Sequence, residues 1–169
     1  MSSKNKIYYW ILIFMIGCFV GWIYEEIFYL VVDHKLINSG FLYGPYLPVY
    51  GWGAVFLNLL LKRFKKYPML VFLLSILITG VLEYITGDIM FKIYNRTWWD
   101  YTGLFLNIGG YVCLRSVLSF SVGAMFLIYF IEPKLCSFLE NSKVIKKYVS
   151  ILFVMVFLID NIVTFLYRY

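Results

Sequence analysis

From Ile7 to Val32 the chain is apolar at nearly every position, and four later stretches repeat that pattern: about Tyr46 to Leu61, Met69 to Phe91, Tyr111 to Ile131 and Tyr148 to Tyr167. A helix takes about 20 apolar residues to cross the roughly 30 Å hydrocarbon layer of a bilayer. A lone strand in lipid leaves its amides unpaired, so each run reads as a transmembrane helix. Composition agrees. Hydrophobic residues make up 63% of the 169 and charged residues 14%, against roughly 45–50% and about 25% in globular chains. A chain this short cannot enclose that much apolar surface in one core. The expectation is an all-α polytopic transmembrane helical bundle, one domain over 1–169 with about five spans, multi-pass in the cell membrane.

Lys and Arg set the orientation, because cytoplasmic connections carry the excess. With the N-terminus in the cytoplasm, ten fall inside: Lys4, Lys6, Lys62, Arg63, Lys65, Lys66, Lys134, Lys143, Lys146 and Lys147. Five fall outside: Lys35, Lys92, Arg96, Arg115 and Arg168. The C-terminus is then outside. The net charge of +6 is distributed between apolar runs rather than along one face, so nucleic acid is not the partner. The segment from about Pro133 to Lys147 mixes Leu135, Phe138, Leu139 and Ile145 with four Lys, and is expected along the inner membrane surface.

Five of the nine acids lie inside these spans: Glu25, Glu26, Glu83, Asp88 and Asp160. At 1.5 Å per residue, Glu25, Glu83 and Asp160 sit about 27, 21 and 18 Å above the inner ends of their helices. An ionisable group within a span is costly and is kept when paired, wetted or used. Gly17, Gly21 and Glu25 share one helical stripe, as do Gly80, Glu83 and Gly87. Glycine admits close approach of another helix, from this chain or a second one, so these stripes face protein. Glu25, Glu83 and Asp160, with Asn107 and Arg115, are expected to form an outward-facing polar site for a cation or amine-bearing solute. A structural ion-pair network in which Arg115 neutralises Glu83 or Glu25 stands at even odds with that reading.

The stretch Gly40 to Gly53 is broken by glycines and prolines, either as a turn or as an interrupted second span. Leu104 to Leu114, broken by Asn107, Gly109 and Gly110, reads as a re-entrant segment before the fourth span. Trp98, Trp99 and Tyr101 read as headgroup-level anchors. Cys18, Cys113 and Cys136 fall at different depths, so no metal or disulfide is expected. No phosphate-binding loop or catalytic motif is present, and no cofactor is called for. The chain does not read as an enzyme.

Four separated motifs carry a resemblance: Gly21-Trp22-Ile23-Tyr24-Glu25; Gly40-Phe41-Leu42-Tyr43-Gly44-Pro45 with Pro48 and Tyr50-Gly51; Leu82-Glu83-Tyr84 with Gly87; and Trp98-Trp99-Asp100-Tyr101 with Asn107, Gly110 and Cys113-Leu114. Together, over about Tyr9 to Pro133, they resemble the CmpB-like family of small bacterial membrane proteins described as type IV ABC-transporter permeases. In many relatives Arg follows the glycine matching Gly110, where this chain has Tyr111 and, further on, Arg115. The resemblance implies a permease component of the bacterial inner membrane working with a separate ATP-binding subunit. Two other classes stay open: a non-transporting subunit that binds other membrane proteins, and an intramembrane enzyme acting on lipid headgroups.

Overall fold

A computed structural model describes residues 3–32, 34–35, 38–97, 99–142 and 144–168. Among these, regular structure is helical, without strands: α1 (Ser3–Val32), α2 (Pro48–Leu61), α3 (Pro68–Tyr94), α4 (Leu114–Phe126), α5 (Glu132–Asn141) and α6 (Ile145–Arg168). A 3₁₀ turn, Lys62–Phe64, follows α2, and a π-helical turn, Leu127–Ile131, joins α4 to α5. Four helical runs are long and apolar enough to cross a membrane: Asn5–Val32, Pro68–Tyr94, Leu114–Asn141 and Ile145–Tyr167.

The second stretch yields the 14-residue α2 at nearly its expected bounds, about 21 Å long and short for a full crossing. One boundary differs from expectation. The fourth helix does not stop at Ile131 but continues to Asn141. The polar segment after it therefore begins as helix, with Leu135 and Leu139 buried and α5 packed on α1. Pro133 looks like a terminator, since it lacks the N–H for the carbonyl four residues back. The π-helical turn just before it loosens that ladder, which is one way a helix passes such a point.

The chain divides into two compact units, Met1–Phe56 with Glu132–Tyr169, and Leu57–Ile131. In the first, α1 and α2 touch backbone to backbone. A Cβ on Gly17 would come 2.6 Å from Ala54 Cβ and 2.8 Å from the Tyr50 carbonyl, and one on Gly21 would collide with the Tyr50 ring. Helices in lipid gain little from apolar burial and associate through such close packing. The segment before α2 folds back along α1, where the Leu47 amide donates to the Cys18 carbonyl at 3.1 Å. Cys18 is about 21 Å from the C-terminal end of α1, which explains why α2 is short: coil occupies the first part of its path along α1. Phe14, Phe19 and Phe157 pack on buried Cys18, Leu42 and Tyr46, with ring centroids 5.6–5.9 Å apart in edge or tilted contacts, the separations aromatic quadrupoles favour.

In the second unit α3 starts with Pro68 in its first turn, where a missing N–H costs nothing. It ends at Asn95, left-handed at φ 48°, whose amide donates to Phe91. α4 starts with a reciprocal cap: Cys113 Sγ accepts from the Ser116 amide while Ser116 Oγ accepts from the Cys113 amide. Leu57, Leu61, Val71, Ala124 and Ile128 form the core. Just before α3 begins, the Lys65 carbonyl accepts from the Tyr129 hydroxyl at 2.8 Å.

Candidate functional site

The five residues expected to form one polar site divide between the units: Glu25 and Asp160 belong to the first, Glu83, Asn107 and Arg115 to the second.

In the second unit Glu83 is half-buried on α3. Its carboxylate accepts from Ser116 Oγ at 2.7 Å and from the Tyr101 hydroxyl at 3.2 Å. Ser116 reaches it because the cap places that residue in the first turn of α4, where the positive end of the helix dipole also favours an anion. Tyr101 reaches it because the loop after α3 folds back: its amide donates to the Gly110 carbonyl at 2.8 Å. Gly110 sits at φ 73°, and a Cβ there would press on Asp100 and Thr102 at 2.9 Å. Gly87 takes the ring of Tyr111, to which a Cβ would come within 2.7 Å, whereas Gly80 has Val117 at an ordinary 3.4 Å. The side-chain amide of Asn107 donates to Leu104 at 3.0 Å in the exposed loop. Arg115 is exposed on α4, and among the described residues the hydrogen bonds to the Glu83 carboxylate come from the two hydroxyls.

Trp99 donates its indole N–H to the Tyr111 carbonyl at 2.9 Å, so it fastens the loop to itself. Trp98 lies outside the described residues. Asp100, exposed beyond the end of α3, accepts from the Thr102 amide at 2.8 Å. The Thr102 hydroxyl and amide hold its carboxyl below the ordinary aspartate value, since hydrogen bonds to the charged form favour it.

In the first unit Asp160 lies on α6 and binds the coil before α2. Its Oδ1 accepts from the Tyr43 amide and Thr164 Oγ1, each at 3.2 Å. Its Oδ2 accepts from the Gly44 amide at 2.8 Å and from the Tyr46 hydroxyl. These four donors fill the lone-pair positions of a carboxylate. Two are backbone amides of coil beside transmembrane helices, which need acceptors from the protein itself. An open groove runs beside this knot, lined by Tyr43, Pro45, Tyr46, Val156 and Ile159. Higher on α1, Glu26 accepts from the Ser39 amide at 2.9 Å, and the Tyr50 side chain hydrogen-bonds Glu25.

Sequence reasoning passed over several of these groups. Ser116, Tyr46 and Thr164 are the working partners of the two carboxylates, and only the spacing of Cys113 and Ser116 at the start of an apolar run hints at one of them. Glu132 and Lys146 are 4% and 6% exposed. Glu132 accepts from Cys136 Sγ at 3.3 Å, and Lys146 donates to the Leu139 carbonyl near the end of α5. A single charge in a polar stretch gives no sequence signal of burial.

The family model described as "Putative ABC-transporter type IV" matches residues 12–165; no curated protein and no solved structure matches. That match covers nearly the whole chain, including Glu25, Glu83 and Asp160 and the coils that bind them. The protein is thus a member of the CmpB family, the "Putative ABC-transporter type IV" group.

Proposed function

We propose that this chain is the membrane permease component of a bacterial transporter, moving a small cationic or amine-bearing solute with ATP hydrolysis supplied by a separate subunit. Family membership over residues 12–165 supports the transport role, and the lack of a phosphate-binding loop in the sequence assigns nucleotide chemistry elsewhere. We read five crossings of the cell membrane, N-terminus inside and C-terminus outside. In this reading α2 crosses together with the coil before it, which keeps Lys62, Arg63, Lys65 and Lys66 on the cytoplasmic side. The segment from Leu104 to Leu114 folds back at the outer end of the fourth crossing.

The observation that carries the solute reading is Glu83, an intramembrane carboxylate held by two neutral hydroxyls. Hydroxyls orient a carboxyl group without supplying a positive charge, so a cation remains the partner that would neutralise its ionised form. Arg115 adjoins Ser116 at the start of α4 and Asn107 lies in the loop before it, and these are the residues we assign to solute selection. Glu25, bonded to Tyr50, would act similarly in its own unit. Asp160 has its acceptor positions filled by the coil, so its part is to shape that coil.

Purified protein screened for thermal stabilisation by a panel of small amines and monovalent cations tests this. At least one is expected to raise the melting temperature, and Glu83→Gln is expected to abolish the rise while the protein still inserts. A response unchanged in Glu83→Gln sinks the assignment.

A further inference from the structure

Phe105, Leu106 and Ile108 are 75%, 62% and 60% exposed at the tip of the 99–113 loop. Leu106 is held at φ 52°, an uncommon backbone for a residue that is not glycine. Three large apolar side chains at the tip of an ordered loop call for an apolar environment.

Contacts within the second unit fix how high the loop sits. The Tyr129–Lys65 bond marks the inner end beside Pro68, where α3 begins. A 30 Å layer measured from there ends about 20 residues on, near Asp88, where the exposed Lys92–Asp88 pair and Arg96 follow. Ser116 meets Glu83 and Val112 approaches Gly80, so α4 begins about 7 Å short of that outer edge. Non-helical backbone closes the rest. Phe105 and Ile108 are tied to the same level, by Leu114 N–H to the Phe105 carbonyl at 3.2 Å and Ile108 N–H to the Val112 carbonyl at 2.9 Å.

Backbone at that depth must find its partners in protein, and much of this loop's backbone does. The amides of Tyr101, Leu104, Asn107, Ile108, Tyr111 and Leu114 all donate within it. Trp99 and Tyr101, side chains suited to the headgroup level, stand at its base.

We propose that Phe105, Leu106 and Ile108 insert among the acyl chains of the outer leaflet, just below the headgroups, making the 99–113 loop a lipid-facing surface that completes the fourth crossing. The proposal rests on the membrane topology given above and adds the partner this surface binds.

Nitroxide labels on the full chain test it in phosphatidylethanolamine–phosphatidylglycerol vesicles. Cys18 and Cys113 are buried, so Cys136→Ser provides the labelling background. Phe105→Cys and, independently, Ile108→Cys report on the tip. Leu77→Cys, on α3 and 62% exposed, reports on lipid, and Arg96→Cys reports on water. At 105 and 108, collision with oxygen is expected to exceed collision with a water-soluble nickel chelate several-fold, as at 77, with the reverse at 96. Tip labels that behave like 96 overturn the proposal, as do tip labels shielded from both agents, which would mean a second copy or another protein covers the loop. A wet label at Leu77 would instead fell the membrane topology itself, so the two failures are distinguishable.

Discussion

Ser116 Oγ lies 2.7 Å from Glu83 Oε2, a bond that ties the first turn of α4 to α3. The same hydroxyl accepts from the Cys113 amide at 3.2 Å, and its single proton is shared between the carboxylate and the Cys113 carbonyl at 2.8 Å. A single side chain thus both caps a helix and orients a carboxylate.

Ser116→Ala removes both contributions. Loss of the cap and of a hydrogen bond to a charged group is expected to cost about 2–3 kcal/mol. The check is thermal unfolding in detergent. Ser116→Thr, which keeps the hydroxyl, is expected to retain most of the stability; equal losses in both variants would show that volume rather than the hydroxyl matters.

Asp160→Asn places an N–H₂ where the carboxylate receives donors from Tyr43, Gly44, Tyr46 and Thr164. Two donors then face a donor, and a destabilisation of about 2–3 kcal/mol is expected. Thr164→Val, which removes one donor, is expected to cost about 1 kcal/mol. Hydrogen exchange at the Tyr43 and Gly44 amides should rise in Asp160→Asn and stay near the wild-type level in Thr164→Val.

The glycines are not equivalent. Gly21→Ala drives a methyl into the Tyr50 ring, while Gly80→Ala meets Val117 at 3.4 Å. Overpacking typically costs about 1–3 kcal/mol, so Gly21→Ala is expected to lower both yield of monodisperse protein and melting temperature. Gly80→Ala is expected to be close to neutral. Size-exclusion profiles and melting curves of the two variants side by side decide this.

Acid should loosen the 99–113 loop at its base. The Asp100 carboxyl is held below its usual value by Thr102, so its contribution to order is complete above the unfolded-state value of about 3.9. It is lost as pH falls through the lower folded-state value. Hydrogen exchange at the Thr102 amide, corrected for intrinsic rate, is expected to become less protected below about pH 4. In Asp100→Asn that protection should be lower throughout and flat with pH; a wild-type profile flat over this range would contradict the assignment.

Much of the fold is visible in the sequence because lipid imposes a simple length rule. The run from Met69 to Phe91 becomes α3, Pro68–Tyr94, with Pro68 at its start and a left-handed Asn95 after its end. What the rule cannot supply is where coil replaces helix within a crossing. Tyr46 to Leu61 reads as a short span, and the coil that leads into it, from Tyr43 to Leu47, has its Tyr43, Gly44 and Leu47 amides satisfied by Asp160 and Cys18, residues far apart in sequence. The fourth span reads as ending at about Ile131, yet the helix continues through Pro133 to Asn141. The site was legible as a set of acids in apolar runs and not as chemistry. Glu83 and Asp160 look alike in sequence, but one is held by two hydroxyls and the other by four donors, two of them backbone amides.

Gentle purification from native membranes, with mass spectrometry of the proteins that accompany the chain, tests the permease reading most directly. An ATP-binding protein present in about equimolar amount, and retained in Glu83→Gln, is the predicted result. Recovery of the chain with other membrane proteins and no ATP-binding protein would contradict it.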